Sequence, residues 1–209
     1  MPTYRPLPPV FYQQPTTSVA KQLLGKGLLI KAGEETLLAM IVETEAYLDK
    51  TDPASHSFAG PTPRNQMMFE EGGTCYVYLS YGIHYCVNVV TDRKSRGTAV
   101  LIRAAEPIKG IPTMAKNRGA QETFNKDNPK VARKLLSGPG KLTQALGIDL
   151  SFNGTKFWGN LIQIVDLGRE LSPKEIVRSP RVGISKATDL MLRFSIRDSP
   201  WVSRAIPNA

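Results

Sequence analysis

The sequence predicts one domain of mixed β-strand and α-helix, and three observations support this prediction. A length of 209 residues fits one domain more comfortably than two. Strand-like runs of apolar and β-branched residues dominate up to residue 105, and one pair of runs has the form of a hairpin. Signals typical of helices follow between residues 112 and 146. We therefore expect a single folded unit over residues 1–209.

Residues 40–47 predict the strand around which the chain is organised. With a period of two, Ile41, Glu43, Glu45 and Tyr47 point to the same side. A carboxylate beside an aromatic ring can act as a general base next to a flat substrate if this face lines a cleft. The alternative is a solvated face, because glutamate is usually exposed. Spacing alone does not distinguish the two glutamates.

Shorter elements precede this strand. The proline-rich first fifteen residues predict an extended lead-in. Thr16 or Thr17 could cap a short helix that Gly25 ends. A strand over residues 28–30 then leads through a turn at residues 33–35 into the central strand.

The predicted hairpin has a tyrosine at its tip. Residues 74–80 and 83–90 are rich in aromatic and β-branched residues, and Tyr81-Gly82 between them form the expected turn. An aromatic residue at a turn is difficult to explain by packing. On a basic protein, a protruding ring could be a wedge that enters stacked bases.

Two residues outside the central strand could join its carboxylates. His56 lies in a polar loop, residues 49–64, close enough in sequence to fold back over the strand, although a lone loop histidine is more often solvated. Arg103 follows the apolar run of a strand predicted over residues 98–105. It is either a strand-end residue in water or a buried guanidinium paired with a carboxylate such as Glu45.

The second half of the chain predicts helices and then two strands. The predicted helices cover residues 112–118, 130–136 and 139–146, with a polar loop at 121–129, and the predicted strands cover 161–165 and 192–196. In the turn Gly138-Pro139-Gly140-Lys141, backbone N–H groups at a helix N-terminus would seat a phosphate. Gly-Pro-Gly is equally ordinary turn chemistry, so both interpretations remain open.

Composition restricts the class of partner. The 27 Lys and Arg residues against 18 Asp and Glu give a formal net charge of +9, which favours a polyanionic partner such as nucleic acid. A protein that is merely basic, or one that binds anionic membrane, is the alternative. No apolar run is long enough to span a bilayer, and the start lacks the apolar core of a signal peptide, so we expect a cytoplasmic protein.

Cysteine and histidine are scarce. Cys75 and Cys86 are too few for a disulfide framework, and we expect both to be core thiols. The two histidines, His56 and His84, do not fall at zinc-ligand spacing with the cysteines. We therefore expect neither a metal nor another cofactor.

Taken in order, these motifs resemble the alkyladenine type of 3-methyladenine DNA glycosylase, and the match covers nearly the whole chain. The matching segments are Ile41-Val42-Glu43-Thr44-Glu45-Ala46-Tyr47, His56-Ser57, Thr62-Pro63-Arg64-Asn65, Tyr76-Val77-Tyr78, Tyr81-Gly82, Asn88, Leu101-Ile102-Arg103-Ala104, Ser137-Gly138-Pro139, Lys141-Leu142, Arg181-Val182-Gly183 and Ser199-Pro200-Trp201-Val202.

The resemblance implies an α+β fold, a single mixed domain with a curved antiparallel β-sheet, flanking helices and a protruding β-hairpin that enters the minor groove of DNA. It also implies an activity that initiates base excision repair. Such an enzyme flips a damaged purine (3-methyladenine, 7-methylguanine, hypoxanthine or ethenoadenine) out of duplex DNA and hydrolyses its N-glycosidic bond. We expect a monomer that acts on duplex DNA, without cofactor or membrane.

Residue by residue, the resemblance assigns roles at the reacting bond. Glu45 matches the general base that deprotonates the attacking water. Arg103 matches a residue that helps to hold this water, and the backbone carbonyl of Val182 matches another contact to it. Glu43 is interpreted as a supporting residue. No lysine neighbours Glu45 on its strand, so we do not expect cleavage of the DNA strand.

The resemblance also assigns the surfaces that hold the base and the DNA. Tyr47, His56 and Tyr78 match the walls that stack on the flipped base. Asn88 matches the side chain that obstructs the exocyclic amine of normal guanine. Tyr81 matches the intercalating wedge.

Two other classes of function stay open at the level of sequence. A non-catalytic nucleic-acid-binding module would use the tyrosine hairpin and the Gly-Pro-Gly turn. A metal-dependent hydrolase would be built on Glu43, Glu45 and His56, although no ligand spacing favours it.

Overall fold

The computed structural model describes residues 4–119 and 129–205. Within these ranges all nine strands belong to one sheet, and every pairing in it is antiparallel. The strands are β1 (Arg5–Pro6), β2 (Gly27–Ala32), β3 (Glu35–Tyr47), β4 (Cys75–Ser80), β5 (His84–Thr91), β6 (Thr98–Lys109), β7 (Ile162–Asp166), β8 (Ile176–Ser179) and β9 (Arg193–Ile196). The helices are α1 (Pro9–Tyr12), α2 (Thr16–Gln22), α3 (Ile111–Asn117), α4 (Pro129–Leu136) and α5 (Pro139–Leu146).

Strand β3 is the centre of the sheet. The strand order is β1-β7-β2-β3-β6-β5-β4, and β9 joins β3 to β8. Along one edge β3 pairs with β6. Along the other edge it pairs first with β2 and then, at residues 43–45, with β9. Register shifts in the β3–β6 ladder bend the strands, and the sheet curls into an open half-barrel. The predicted α+β class and curved antiparallel sheet are confirmed.

Strand β3 is buried on both faces. Its residues from Leu37 to Ala46 are all buried, so both faces of this strand are covered although its sequence partly alternates. The helices supply part of the cover through buried side chains such as Val19 of α2, Met114 of α3 and Leu142 of α5. In the described ranges, none of these helices has the length and hydropathy that crossing a bilayer requires.

Most predicted elements are present, with corrections near the N-terminus. The lead-in is not simply extended, because it contains β1 and α1, and Tyr12 is fully buried. Helix α2 is preceded by Pro15 at the N-cap position, and Thr16 is its first residue. The Thr16 hydroxyl accepts a hydrogen bond from Thr91 at 3.0 Å, which ties it to β5. Strand β8 was not predicted from the sequence. Of the predicted loop at 121–129, residues 121–128 lie outside the described part of the chain.

The Gly-Pro-Gly turn starts α5 as predicted. Gly138 is its N-cap, Pro139 is its first residue, and Gly147 ends it in the left-handed conformation with φ of 67°. Gly140 is required by close packing, because a Cβ atom there would lie 2.8 Å from the Cβ atom of His84. The absence of a side chain at this position lets α5 pack against the turn end of the β4–β5 hairpin, where His84 begins β5.

A buried ion pair joins the loop after β3 to the segment before β9. The guanidinium of Arg181 donates to both carboxylate oxygens of Asp52, at 2.6 and 2.7 Å, and both side chains are fully buried. The same guanidinium donates to the backbone oxygen of Ala46 at 3.1 Å. It therefore fixes two loops to the end of β3.

We predict that Asp52→Asn lowers the free energy of unfolding by about 3–5 kcal/mol, because it leaves the charge of Arg181 buried without its counter-ion. Urea unfolding followed by circular dichroism measures the change. The matched control is Asp49→Asn in the same loop. Asp49 pairs with Arg96, whose side chain is 55% exposed, so this change should cost about 1 kcal/mol or less. Equal losses in the two variants would contradict the prediction.

Candidate active site

A cleft of about 900 Å³ opens between the β4–β5 hairpin, the loop after β3 and the segment before β9. This volume is within the range of small-molecule sites. Many of the residues predicted for the site line it, although they come from distant parts of the chain. They are Tyr47, His56, Tyr78, Tyr81, Asn88, Arg103, Gly140 and Val182.

Glu45 lies directly behind the wall of this cleft and is fully buried. The Tyr47 hydroxyl donates to its Oε2 at 2.9 Å, and the Val182 N–H donates to its Oε1 at 2.7 Å. Arg103 Nη1 lies 3.3 Å from Oε2. All three partners line the cleft, and Glu45 itself does not. A carboxylate has roughly four acceptor positions, and these partners occupy three of them.

The surroundings of Glu45 make it more basic than a solvated glutamate. Burial raises the pKa of its carboxyl group, and Arg103, the Val182 N–H and the Tyr47 hydroxyl oppose this shift only in part. A carboxylate with a raised pKa holds a proton more strongly.

Arg103 is buried, with 6% of its surface exposed, and this settles the choice left open by the sequence. Its Nε donates to Glu43 Oε1 at 3.1 Å, while Nη1 faces Glu45. Burial by itself lowers the pKa of Arg103, but the nearby carboxylates of Glu45 and Glu43 raise it overall, so the group is a permanent cation.

The two glutamates have different partners. Glu43 accepts hydrogen bonds from Arg103, from Arg193 Nε at 2.7 Å, and from the backbone N–H and hydroxyl of Ser203. Neither Arg193 nor Ser203 lines the cleft. Glu43 therefore belongs to the support behind the site, whereas the partners of Glu45 all face the cleft.

The aromatic wall of the cleft is held from behind. The rings of His56 and Tyr78 meet edge to face with centroids 4.5 Å apart, and Tyr76 lies 5.4 Å from Tyr78. His56 Nδ1 is hydrogen-bonded to the Tyr76 hydroxyl at 3.0 Å. Desolvation, with the nearby charge of Arg64, lowers the pKa of His56. The imidazole is therefore neutral at neutral pH and presents an uncharged ring to a ligand.

Asn88 forms part of the floor of the cleft and is almost fully buried. Its side-chain nitrogen donates to the backbone oxygens of Tyr76 at 3.0 Å and Cys86 at 3.4 Å. These bonds hold the amide in one orientation on the hairpin. A rigid side chain at this position can exclude ligands by shape.

The tip of the hairpin is exposed and apolar. Tyr81 is 86% exposed, and Ile83 beside it is 72% exposed. Tyr81 and Gly82 both have positive φ, 51° and 70°, as tight hairpin turns require. For a tyrosine this conformation costs about 1–3 kcal/mol, and the exposed ring gains no packing in return. Contact with another molecule explains the exposed ring better than packing within the protein does.

The residues of the predicted phosphate seat are only partly brought to the cleft. Gly140 lines it, next to His84 of the hairpin. Gly138 and Lys141 do not line it, and Lys141 is exposed on the adjacent surface. The close packing of Gly140 gives this glycine a structural reason that is independent of any phosphate.

Sequence reasoning did not identify the residues that hold the site from behind. Asp52, Arg193 and Ser203 were not singled out, and Arg181 appeared only as part of a matched segment. The Arg181 guanidinium lies 4.6 Å from the centroid of the Tyr47 ring and is paired with Asp52. No periodic pattern could have identified these partners, because they are more than a hundred residues apart in sequence.

The donors considered for a metal-dependent hydrolase are engaged elsewhere. Both Glu43 and Glu45 are bound to Arg103, and His56 Nδ1 is bound to Tyr76. Across residues 4–119 and 129–205, no group of three His, Cys, Asp or Glu side chains is arranged to hold a metal ion.

Comparison with known proteins agrees with this geometry. The family model described as "Methylpurine-DNA glycosylase (MPG)" matches residues 10–200. A protein of Methanoculleus marisnigri named "Putative 3-methyladenine DNA glycosylase" is 48% identical, and the match covers 95% of this chain and 98% of that protein. Proteins of the same name from Prosthecochloris aestuarii and Rhodopseudomonas palustris are each 45% identical, with 94% of this chain matched to 90% and 87% of theirs. The chain therefore belongs to the methylpurine-DNA glycosylase family and is a DNA glycosylase, a hydrolase of N-glycosyl bonds.

Proposed function

We propose that this glycosylase removes damaged purines from duplex DNA with a water molecule activated by Glu45, and so initiates base excision repair. The proposed substrates are 3-methyladenine, 7-methylguanine, hypoxanthine and ethenoadenine. This proposal rests on one observation, the desolvated carboxylate of Glu45 directly behind an aromatic cleft. The carboxylate is held by Arg103, Tyr47 and Val182, all of which line that cleft. The name shared by the relatives supports 3-methyladenine as one substrate.

The proposed chemistry is a displacement at C1′ of the damaged nucleotide. Water attacks C1′ while Glu45 takes its proton, and the bond to the purine nitrogen breaks with its electron pair leaving on the base. An alkylated purine already carries positive charge and therefore leaves readily. The carboxylate also stabilises the cationic sugar that develops as the bond breaks. The products are a free base and an abasic site.

Binding of the extruded base depends on the aromatic walls and the floor. Tyr47, His56 and Tyr78 stack on the purine, and a neutral His56 avoids repulsion of a cationic base. Asn88, held by the hairpin backbone, obstructs the exocyclic amine of normal guanine. Shape and stacking together select damaged purines over normal ones.

Access to the base requires extrusion from the duplex. Tyr81 occupies the space that the flipped nucleotide leaves, which offsets part of the unstacking cost. The net charge of +9 supplies attraction to phosphates that does not depend on sequence. Gly138, Gly140 and Lys141 at the start of α5 bind a phosphate beside the cleft, and the protein acts as a monomer without cofactor.

The first test is Glu45→Gln. Base release from duplexes that each carry one lesion should fall by about 10²–10⁴-fold, because the general base is lost. DNA binding should persist, since the walls and the wedge are intact. Abasic sites are scored after alkali treatment, with and without EDTA.

Glu43→Gln is the matched comparison. It removes the carboxylate that holds Arg103 and Arg193, so it should reduce thermal stability more than Glu45→Gln and base release less. Salt-sensitive binding without an abasic product from any lesion would favour a non-catalytic module. Loss of activity in EDTA would favour a metal-dependent hydrolase.

We also predict the acid limb of the pH–rate profile. A base must be ionised to act, and burial raises the pKa of Glu45 above 4.5. The rate on an N-alkylated purine should therefore fall as the pH decreases through this raised pKa. Single-turnover rates between pH 4 and 8, corrected for release without enzyme, measure the limb. A midpoint at or below the ordinary value of 4.5 would contradict a desolvated base.

The wedge is tested with Tyr81→Ala. Stacking of an aromatic side chain on a base is worth about 1–3 kcal/mol, so base release from duplex DNA should fall roughly tenfold or more. Release from a single strand should change little, because no pairing partner has to be displaced. The control is Val10→Ala, which truncates a side chain that is 66% exposed and remote from the hairpin in sequence. An equal loss on both substrates would argue against a wedge.

A further inference from the structure

The C-terminal segment, residues 199–204, closes over the support behind the active site. Its Val202 is 7% exposed and anchors it to the body of the protein. Ser203 then donates to Glu43 through its backbone N–H at 2.5 Å and through its hydroxyl at 2.8 Å. The backbone oxygen of Arg204 accepts from Arg193 at 2.7 Å. The segment therefore contacts both the buried carboxylate and one of its arginines.

These contacts fix the guanidinium of Arg103 from three sides. Its Nε donates to Glu43 at 3.1 Å, its Nη2 donates to the Ser203 hydroxyl at 3.3 Å, and its Nη1 lies 3.3 Å from Glu45. A serine hydroxyl has one donor and two acceptor positions, so it can bind Glu43 and Arg103 at once. Because the guanidinium is rigid and planar, the contacts at Nε and Nη2 also fix the position of Nη1.

The charges are balanced as well. Glu43 and Glu45 face Arg103 and Arg193, and Arg193 binds Glu43 without reaching the cleft. Arg193 therefore neutralises much of Glu43 and leaves Arg103 to share its charge with Glu45. The segment that fixes Arg193 through Arg204 thus contributes to the same arrangement.

We propose that Ser203 is a positioning residue of the glycosylase, which together with Glu43 aligns Arg103 so that its Nη1 remains on Glu45. This inference rests on the proposed role of Glu45 as the base. It assigns a part in the reaction to the C-terminal segment, beyond the matched Ser199-Pro200-Trp201-Val202. Ser203 does not line the cleft and acts only through Arg103.

The test compares variants of Ser203 with the wild type in single-turnover base release over a range of pH. Ser203→Ala should lower the rate roughly tenfold, as expected for loss of a hydrogen bond to a charged group. DNA affinity should be unchanged. The acid limb should move to higher pH, because a less well aligned Arg103 lowers the pKa of Glu45 to a smaller extent. Ser203→Thr, which keeps the hydroxyl, should restore both the rate and the limb.

The control is Ser199→Ala, the same change in the same segment, at a hydroxyl that accepts a long hydrogen bond from the N–H of Trp201 at 3.4 Å. It should leave the rate and the limb at their wild-type values. Ser203→Cys, a weaker hydrogen-bonding side chain of similar size, provides a second measurement if Ser203→Ala folds poorly. Its limb should lie at a pH above that of the wild type.

Two outcomes would overturn the positioning role. One is a wild-type rate and acid limb in Ser203→Ala or Ser203→Cys. The other is a lower rate with an unmoved limb, which would indicate structural damage only. Glu45→Gln separates this inference from the proposed function. If Glu45→Gln retains base release, the role of Glu45 as the base is overturned. If Glu45→Gln is inactive and Ser203→Ala is unaffected, only the positioning role of Ser203 is overturned.

Discussion

The guanidinium of Arg103 is shared by two buried carboxylates, and the candidate active site depends on this sharing. Unpaired charges in a protein interior cost several kcal/mol each, so such groups persist only as a balanced and hydrogen-bonded set. Here the balance joins Glu43 and Glu45 of β3, Arg103 of β6 and Arg193 of β9. The requirement for neutrality therefore couples the strands that meet at the centre of the sheet to the placement of the proposed base.

The same balance of charges explains how Glu45 can be buried and still serve as the proposed base. Burial alone would favour its protonated form, which cannot accept a proton from water. Arg103 and the Val182 N–H offset part of this effect and still leave the pKa raised. The ion pair of Asp52 and Arg181 joins the loop after β3 to the segment that carries Val182, and the Arg181 guanidinium lies over the ring of Tyr47. It therefore helps to hold two of the groups that cover Glu45.

The tip of the β4–β5 hairpin exposes a surface that does not contribute to packing in the protein interior. The turn end of this hairpin packs against α5 at His84, where Gly140 has no side chain, and this contact gives the exposed tip a firm foundation. A strained and exposed Tyr81 on such a foundation is consistent with a wedge, since a flexible tip would lose more entropy on entering a duplex. The basic charge of the protein favours the approach to phosphates, and the hairpin tip supplies the proposed wedge.

Local patterns in the amino-acid sequence encode several elements of the fold directly. The central strand, the hairpin with its turn and the bounds of α5 follow from side-chain periodicity, turn residues and terminal glycines, which act within a few positions. Eight of the residues predicted for the site line the cleft, and spacing placed Glu43 and Glu45 on one face. Only the tertiary structure gave them different surroundings, because Ser203 binds Glu43 and Val182 binds Glu45 from positions 160 and 137 residues away. Contacts over such distances depend on how the sheet curls, and no local pattern encodes them.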